Sequence, residues 1–566
     1  MNKPKIIRQK LTFKPNLVDY EQAAKNFSWQ AAKKELTWFP DGKINAAYNA
    51  VDRHLAGPAR HKVALFWHSA KDEKQQYTFE QLAILSNKFA NLLKDLAVER
   101  GDRVFFFLPR IPALYYGFLG TLKTGAIAGT LFSAFGPQAL LDRLNDCDAK
   151  ILVTNQELAA RVAKIRPQLP YLKKVILIDA EFEKALAQAS PVFKTVAMDP
   201  DEPAFMLYTS GTTGKPKGVV HSHLAILHEH LTAKWVLDIQ PNDLYWCTAD
   251  PGWVTGIAYT ILGSWSVGAT SLVFEGRFDP EVWYRLIQEY RVNVWYTAPT
   301  AIRMLSAAGD QLTKKYDFTS LRHLASVGEP LNPEAVFWGQ RRLKLLFHDN
   351  WWQTETGGIL IANYPVLPIK PGSMGKPFPG VTAAIVNDQG QILPPNKIGS
   401  LAIKPGWPSM MIKIWHRPKK YRKYFKHGWY ISGDLAYRDK DGYFWFVSRD
   451  DDVIKTAGER VGPFEVESAL MAHPAVVEAG VIGKPDPLRG QIIKAFVTLK
   501  QGEKPSEALK ERIKAFVKKE LAGHAYPREI EFMDHLPKTR SGKIVRRMLK
   551  AKELGLPVGD TSSLEK

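Results

Sequence analysis

A glycine- and hydroxyl-rich loop directly after an apolar run is the feature that most constrains what this chain can fold into. The run "AFMLYTS" (residues 204–210) has the composition of a buried β-strand, and "GTTGKPKG" follows it without a break. Glycines allow backbone dihedrals that turn N–H groups toward an anion, and the hydroxyls and lysine add further donors. The spacing is not that of a Walker A loop, G-x-x-x-x-G-K-S/T. We therefore expect phosphate binding, with an ordinary surface loop as the alternative, at Thr209, Ser210, Gly211, Thr212, Thr213, Gly214 and Lys215.

Short β-rich runs alternate with helical patterns through the first half of the chain. This alternation is typical of an α/β architecture with largely parallel sheets. The predicted strands are residues 150–154, 173–180, 204–210, 270–275 and 292–297, and residues 280–290 form a predicted helix between the last two. Residues 380–445 contain strand-like runs without intervening helices, which predicts a more antiparallel, barrel-like section.

The C-terminal part of the chain predicts a separate domain. A hairpin is expected to turn at Asp441-Gly442, and strand and helix patterns alternate after it. A chain of 566 residues is also too long for one compact core. We therefore predict a large N-terminal domain of stacked α/β subdomains with a β-barrel-like section, residues 1–449, followed by a small α+β domain, residues 450–566.

The net charge of +20 has three explanations: nucleic-acid binding, anionic small-molecule substrates, or a basic proteome. The densest basic run, residues 417–426, interleaves basic and aromatic side chains, as single-strand binders do. We expect this run to be mainly solvated surface, with anion binding as the alternative. No nucleic-acid module is recognisable in the sequence, so no nucleic-acid partner is expected.

The sequence predicts a cytoplasmic protein without a membrane span. No apolar run reaches the roughly 18 residues that a spanning helix needs. The basic N-terminus lacks the apolar stretch of a secretory signal. The two cysteines, Cys147 and Cys247, form no metal-binding or redox spacing.

The glycine-rich loop resembles the phosphate loop of the adenylate-forming superfamily, which includes acyl-CoA synthetases, luciferases and peptide-synthetase adenylation domains. Further segments resemble other signatures of that superfamily in the same order. "VGEPL" (327–331) and "DNWWQTETGG" (349–358) are similar to its adenine-binding stretches. "YISGDLAYRDKDGYFWFVSRDDDVIKTAGERVGPFEVE" is similar to its ribose-binding and hinge region, and "PKTRSGKIVRR" (537–547) to its catalytic lysine motif. The likeness extends from about Tyr77 to the C-terminus.

The resemblance implies roles for several residues in a reaction in which a carboxylate attacks a phosphorus atom. Lys543 would be the catalytic cation, because both reactants are anionic. Asp434 and Arg449 would hold the ribose, and Arg460 the phosphates. Glu355 would bind Mg²⁺ that travels with ATP. The expected ATP and AMP contacts are Gly328, Glu329, Pro330, Asp349, Asn350, Trp351, Gln353, Thr354, Asp434, Arg449 and Arg460.

The double tryptophan of "WWQTETGG" resembles the AMP-forming acetyl-CoA synthetase group within this superfamily. The resemblance implies ligation of acetate to coenzyme A with ATP, through an acetyl-adenylate, releasing AMP and pyrophosphate. The acetate pocket would be lined by Val254, Thr255, Val327 and Trp352, with core packing as the alternative role of Trp352. A ligase for propionate or another short-chain acid stays open, as does a nucleic-acid-binding protein on a degenerate ligase fold.

The same likeness implies that the small C-terminal domain is mobile and rotates about Asp451 between two half-reactions. Ser448 and Asp450 depart from the usual hinge pattern, which has glycine and an apolar residue there. The coenzyme A contacts would come from Arg161, Lys164, Thr255, Ala457, Gly458 and Lys518.

Two further hypotheses concern histidines and a modification. The spacing of four histidines, His221, His223, His228 and His230, allows a Zn²⁺ site, although packing is favoured because no H-E-x-x-H is present. His473 lies in a segment similar to a Mg²⁺-binding region of some relatives. Acetylation of Lys543, by a lysine acetyltransferase and reversed by a deacetylase, would remove the catalytic charge.

Overall fold

The structure, a computed structural model, describes residues 6–209, 216–456, 459–521, 525–538, 544–556 and 558, and for residue 460 the backbone alone. Its α-helices are α1 (Tyr20–Asn26), α2 (Trp29–Ala32), α3 (Ala46–Ala50), α4 (Phe79–Asp95), α5 (Pro112–Lys123), α6 (Pro137–Asp146), α7 (Gln156–Ala163), α8 (Ala180–Gln188), α9 (Ala225–Trp235), α10 (Gly263–Val267), α11 (Pro280–Glu289), α12 (Pro299–Ala307), α13 (Asp310–Thr313), α14 (Pro333–Arg342), α15 (Pro418–Arg422), α16 (Pro463–Met471), α17 (Glu507–Glu520) and α18 (Arg546–Leu554). A π-helix spans Gly256–Leu262, and 3₁₀ turns include Thr354–Thr356.

The strands are β1 (Val63–His68), β2 (Lys74–Thr78), β3 (Arg103–Phe107), β4 (Ile127–Leu131), β5 (Ile151–Asn155), β6 (Lys174–Ile178), β7 (Pro203–Thr209), β8 (Lys217–Ser222), β9 (Leu244–Cys247), β10 (Thr270–Phe274), β11 (Val294–Thr297), β12 (His323–Ser326), β13 (Phe347–Trp351), β14 (Ile361–Ala362), β15 (Lys376–Pro377), β16 (Ala383–Val386), β17 (Gly399–Ile403), β18 (Lys413–Ile414), β19 (Phe425–Lys426), β20 (Trp429–Arg438), β21 (Phe444–Arg449), β22 (Ile454–Thr456), β23 (Glu459–Val461), β24 (Val476–Asp486), β25 (Gly490–Leu499) and β26 (Glu529–Phe532).

A seven-stranded sheet carries the predicted phosphate loop. Its order is β18-β8-β7-β4-β3-β5-β6, and β7, β4, β3, β5 and β6 run parallel. Helices α5, α6, α7 and α8 connect the parallel strands, as crossover connections require. Strand β7 is buried along its middle and ends at Thr209, so the loop begins at the carboxyl end of a parallel strand.

A nine-stranded sheet forms the other half of the α/β fold. Its order is β15-β14-β13-β12-β11-β9-β10-β1-β2, with parallel pairing from β13 through β1. The predicted helix at residues 280–290 is α11, whose first turn is capped by the Asp279 side chain accepting from the Val282 amide. The carboxyl ends of β11, β12 and β13 lie side by side, which brings distant parts of the sequence to one edge.

The predicted barrel-like section is an antiparallel five-stranded sheet. Strands β16, β17, β20 and β19 pair in that order, and β21 joins β20. The hairpin between β20 and β21 turns where Asp441-Gly442 predicted it, and Gly442 has φ +84°. Within this hairpin Asp434 pairs directly with Arg449.

The last sheet contains only strands from residues 454–532. Its order is β23-β22-β25-β24, with β26 parallel to β25, and α16 and α17 pack their apolar side chains against it. Strands β22 and β23 and helix α18 were not predicted from the sequence. The mixed α/β fold with a large N-terminal and a small C-terminal part is confirmed, whereas the boundary between residues 449 and 450 stays a prediction. Among the described helices, none combines the length and apolar character that crossing a bilayer requires.

Gly375 joins the antiparallel sheet to the edge of the nine-stranded sheet. The Phe444 amide donates to the Gly375 carbonyl at 2.8 Å, and the Met374 amide donates to the Phe444 carbonyl at 2.9 Å. Gly375 has φ +94°, and a Cβ there would lie 2.0 Å from the Ala362 carbonyl oxygen. Only glycine therefore allows the backbone at position 375 to lie this close to the backbone of Ala362 while it pairs with Phe444.

We expect Gly375→Ala to destabilise the protein much more than Gly442→Ala. Both glycines have positive φ, but a Cβ at Gly442 meets no heavy atom within 4 Å. Gly442→Ala should therefore cost about 1–2 kcal/mol from the backbone conformation alone, and Gly375→Ala more than about 3 kcal/mol because backbone must also move. Chemical denaturation measures both losses, and equal losses would show that the close approach at Gly375 is not what requires glycine.

Candidate active site

The predicted acyl-pocket residues lie at the carboxyl edge of the nine-stranded sheet. Val327 directly follows β12 and Trp352 directly follows β13. Val254 and Thr255 precede the π-helix, and both are buried. In open parallel sheets the crevice beyond the carboxyl ends of the strands is where ligands bind. These four residues therefore occupy the part of the fold where a substrate pocket is expected.

Two tyrosines hold the Trp352 indole. Its Nε1–H donates to the Tyr296 hydroxyl at 3.3 Å. The ring also meets the Tyr259 ring edge-to-face, with centroids 5.2 Å apart and planes at 85°. Tyr296 lies on β11 and Tyr259 on the π-helix, and neither is exposed to solvent. Trp352 is thus held in one orientation from two different elements.

Asp434 is held by side chains from the segment after β13. Its Oδ2 accepts from Trp351 Nε1 at 2.9 Å and from Gln353 Nε2 at 3.1 Å. The Tyr430 hydroxyl donates to Gln353 Oε1 at 2.7 Å, which fixes the orientation of that amide. Trp351 and Gln353 therefore orient the Asp434 carboxylate.

Arg449 lies across the hairpin from Asp434. Its Nε is 3.3 Å from Asp434 Oδ1 and 3.9 Å from Asp451 Oδ1. Burial lowers the pKa of Arg449, but the surrounding carboxylates, Asp434 first among them, together raise it by more, so the guanidinium stays charged. Asp434 and Arg449, which are both predicted to hold the ribose, are therefore adjacent.

The "VGEPL" segment and Asp349 form a second group beside this hairpin. Glu329 accepts from Thr300 Oγ1 at 2.7 Å and from Arg303 Nη2 at 2.8 Å. Asp349 Oδ2 accepts from the Leu331 amide at 3.3 Å, while burial raises the pKa of Asp349 well above its usual value. Gly328 has φ +96° with open space where a Cβ would stand, so the backbone of this segment is accessible there.

A buried ion pair joins the two α/β sheets at this site. Lys217, on β8, places Nζ 2.5 Å from Glu355 Oε1, in the 3₁₀ turn after β13. The Tyr424 hydroxyl contacts Lys217 Nζ and donates to Glu355 Oε1 at 3.1 Å. Burial raises the pKa of Glu355, but the Lys217 charge and the hydrogen bonds to the carboxylate together lower it by more. The net pKa is below its usual value, and the group is a carboxylate at neutral pH.

Glu355 has the chemistry of a Mg²⁺ ligand. The hydrogen bonds from the Lys217 and Tyr424 side chains both go to Oε1 of this carboxylate. An ionised carboxylate oxygen is the donor that Mg²⁺ prefers. The residues therefore fit a cation carried by a phosphate ligand.

Comparisons with known proteins show which family the chain belongs to. The AMP-binding enzyme family matches residues 51–413, and the AMP-binding enzyme C-terminal domain matches residues 465–543. The chain belongs to the AMP-binding enzyme family. It is 55% identical to acetyl-coenzyme A synthetase of Bacillus subtilis (strain 168), covering 97% of this chain and 98% of the relative. The acetyl-coenzyme A synthetase of Methanothrix thermoacetophila is 43% identical over 93% of this chain and 86% of its own length. A crystal structure of an anthranilate CoA ligase with anthranoyl-AMP is 31% identical, with a TM-score of 0.83, covering 90% of this chain and 97% of that one.

Several predicted site residues fall outside the described part of the chain. They are Ser210, Gly211, Thr212, Thr213, Gly214, Lys215, Ala457, Gly458 and Lys543, together with the side chain of Arg460. Of the phosphate loop only Thr209 is described, and its buried Oγ1 has no hydrogen-bond partner among the described residues. A buried hydroxyl without a partner is what a phosphate-facing position requires before its ligand binds. The roles of all these residues stay predictions.

The remaining predicted residues are placed as follows. Arg161, on α7, donates to the Ser133 and Phe135 carbonyls at 2.7 and 3.3 Å. Lys164 and Lys518 are exposed, and Lys518 lies over the Tyr526 ring at 5.5 Å. Their proposed contacts with coenzyme A, like the hinge role of Asp451, stay predictions.

His473 lies just after α16. Its ring meets Phe516 edge-to-face, and its Nδ1 accepts from the Ala475 amide at 3.2 Å. One ring nitrogen is therefore already bound within the chain. A Mg²⁺-binding role for His473 stays a prediction.

The four clustered histidines are buried packing residues. Histidines seven residues apart share a face only within one helix, but His221 lies on β8 while His228 and His230 lie on α9. Burial lowers the pKa of each to about 3 or 4, which makes all four neutral. Their Nδ1 atoms bond to Ser409, Ser266 or the Ala46 amide. In the described residues, no group of three or more metal-ligating side chains is present.

Sequence reasoning missed Lys217, Tyr424, Tyr259 and Tyr296 as site residues. Lys217 belongs to the glycine-rich motif but received no role, and Tyr424 belongs to the basic run at residues 417–426. Arg417 of that run pairs with Asp146 at 2.5 Å and donates to the Pro216 carbonyl at 2.8 Å. Part of the run is therefore bound to the segment that follows the phosphate loop.

We expect Lys217→Met to destabilise the protein by about 3–5 kcal/mol, because it leaves the buried Glu355 carboxylate without its counter-ion. The double variant Lys217→Met/Glu355→Gln should recover most of that loss, since neither charge remains. Chemical denaturation of the four proteins of this double-mutant cycle measures the coupling. If the losses of unfolding free energy in the two single variants simply add in the double variant, the ion pair contributes no coupling energy to stability.

The same cycle has an expected pH dependence. The folded-state pKa of Glu355 is lowered, so the contribution of the pair is present at neutral pH and is lost as the pH falls through that lowered value. The acid limb of stability against pH should therefore be shallower in the double variant than in the natural protein.

Proposed function

We propose that this protein ligates acetate to coenzyme A at the expense of ATP, through an acetyl-adenylate, and releases AMP and pyrophosphate. The observation that carries the proposal is the Trp352 indole, held by Tyr296 and Tyr259 at the carboxyl edge of the sheet. The near full-length likeness to acetyl-coenzyme A synthetases supports the same reaction. A cytoplasmic location is part of the proposal, because ATP and coenzyme A are its substrates.

In the first half-reaction an acetate oxygen attacks the α-phosphorus of ATP, and the bond to the pyrophosphate oxygen breaks. Both reactants are anions, so the protein must neutralise charge and align them. We assign the nucleotide's sugar to Asp434 and Arg449, which lie 3.3 Å apart. The phosphates are assigned to Arg460 and the loop from Thr209 to Lys215. Lys543 is assigned as the cation beside the attacking oxygen.

Adenine is assigned to the two segments that flank Asp349. They comprise Gly328, Glu329 and Pro330 on one side, and Asn350, Trp351 and Gln353 on the other. Thr354 is assigned, with Glu355, to the phosphate and Mg²⁺. Bound Mg²⁺ would neutralise phosphate charge, and Glu355 is the residue that would hold it. Lys217 is the neighbour that keeps this carboxylate ionised.

In the second half-reaction the coenzyme A sulfur attacks the acetyl carbonyl carbon, and the bond from that carbon to the AMP phosphate oxygen breaks. We propose that residues 450–566 rotate about Asp451 to exchange Lys543 for the thiol. Coenzyme A is assigned to Arg161, Lys164, Thr255, Ala457, Gly458 and Lys518. The basic character of this set suits the phosphates of coenzyme A.

Acetate is favoured over longer acids because the indole limits the depth of the pocket formed with Val254, Thr255 and Val327. A pocket of this kind discriminates weakly between acids that differ by one methylene, by about 1–3 kcal/mol. Propionate is therefore a slower substrate in this proposal, and a propionate ligase is the second candidate. A nucleic-acid-binding role has no support among the relatives, which are named as synthetases and ligases.

Exchange of labelled pyrophosphate into ATP tests this function. We expect full exchange with acetate, less with propionate and none with octanoate, because the longer chain overlaps the indole. Exchange with no acid present is the background. Equal exchange with acetate and octanoate would contradict the acetate assignment, and no exchange with any acid would overturn the ligase assignment.

We also propose that acetylation of Lys543 switches the enzyme off, with a lysine acetyltransferase and a deacetylase as partners. Neutralising the cation removes the charge that the first half-reaction needs. Lys543→Gln should abolish exchange, whereas Lys519→Gln, at an exposed position on α17, should not. Protein shown by mass spectrometry to be fully acetylated at Lys543 should behave as Lys543→Gln, and full exchange by that protein would contradict the proposal.

A further inference from the structure

The Tyr296 hydroxyl links the proposed acyl pocket to the proposed adenine-binding segment. It accepts from Trp352 Nε1 at 3.3 Å on one side and donates to Asn350 Oδ1 at 2.9 Å on the other. Trp352 belongs to the proposed acyl pocket and Asn350 to the proposed adenine-binding segment. Tyr296 is not exposed to solvent, and Asn350 is 5% exposed.

The direction of these hydrogen bonds is fixed by the donors available. An indole N–H can only donate, so the Tyr296 oxygen must accept from Trp352. Its own proton is donated to Asn350 Oδ1, so Asn350 presents its carbonyl oxygen to the tyrosine. The Asn350 amide group is thereby turned away, and its buried Nδ2 has no partner among the described residues. A buried donor without a partner is costly and indicates a position prepared for a ligand.

Tyr259, which also contacts the indole, is fixed in a comparable way. Its hydroxyl accepts from the Ile359 amide at 2.9 Å and lies 2.8 Å from Thr232 Oγ1. Thr232 donates its own proton to the His228 carbonyl at 2.7 Å, so the Tyr259 proton goes to Thr232. The Tyr259 ring also meets Tyr296 edge-to-face at 5.8 Å. The hydrogen bonds and ring contacts of Tyr259 and Tyr296 therefore hold both rings in place beside Trp352.

We propose that Tyr296 is a positioning residue that sets the depth of the acyl pocket through Trp352 and the orientation of the Asn350 amide for the nucleotide. The proposal rests on the function proposed above. Tyr259 supports the same indole through an edge-to-face ring contact. Selection of the acid and binding of ATP are consequently coupled through one hydroxyl, because losing it releases both partners at once.

Tyr296→Phe removes that hydroxyl and leaves the ring. The propionate-to-acetate ratio of kcat/KM should rise roughly 3- to 10-fold, within the discrimination that one methylene commands. The KM for ATP should rise roughly 2- to 5-fold, as expected when one hydrogen-bonding partner loses its orientation. Trp352→Gly provides the reference for an open pocket and should raise the ratio further without the same effect on ATP.

Tyr284→Phe is the matched control. Tyr284 is equally buried, lies on α11 in a different apolar cluster, and its hydroxyl has no partner among the described residues. This variant should leave the substrate ratio and the KM for ATP unchanged. Comparing the Tm of both variants separates positioning from a general loss of stability.

The outcomes distinguish this inference from the function on which it rests. No acetate-dependent exchange by the natural protein would overturn the function itself. With that exchange present, a Tyr296→Phe protein of unchanged substrate ratio and unchanged KM for ATP would overturn the positioning role. A changed ratio with an unchanged KM for ATP would overturn the coupling to Asn350 and keep the control of pocket depth.

Discussion

The buried ion pair between Lys217 and Glu355 is the interaction on which the geometry of the site depends. Lys217 belongs to the seven-stranded sheet, Glu355 follows a strand of the nine-stranded sheet, and Tyr424 directly precedes β19 of the antiparallel sheet. Removing two charges from water is expensive, and only close contact with further hydrogen bonds offsets the cost. Because each charge needs the other, the three sheets have one favourable arrangement at this point.

That arrangement places a charged half and an apolar half of the site next to each other. The charged half contains Glu355, Asp434 and Arg449, while the apolar half is bounded by Trp352 and the residues at the carboxyl edge of the sheet. The segment from Trp351 to Glu355 contributes to both halves. A shift of this segment would therefore alter the proposed nucleotide contacts and the proposed acyl pocket together.

Much of the fold and part of the site follow from local sequence patterns. The apolar run before the glycine-rich loop, the helix capped by Asp279 and the turn at Asp441-Gly442 each depend on residues close together in the chain. The histidines show where this reasoning fails. Their seven-residue spacing predicts shared helix faces only if one helix contains them, but His221 belongs to a strand whose partners lie elsewhere in the chain. Periodicity does not report such long-range pairing.

The sequence by itself determined the strand-then-loop motif, the order of the superfamily signatures and the presence of an indole at position 352. The loop motif, each signature and the indole lie in short contiguous segments, whose local conformation and chemistry can be inferred without knowing which segments lie next to them in space. Only the tertiary structure decided that Lys217 pairs with Glu355, 138 residues away, and that Tyr296 lies between Trp352 and Asn350. These contacts arise because parallel strands bring their carboxyl ends to one edge, and the order of strands in a sheet is not encoded in any single segment.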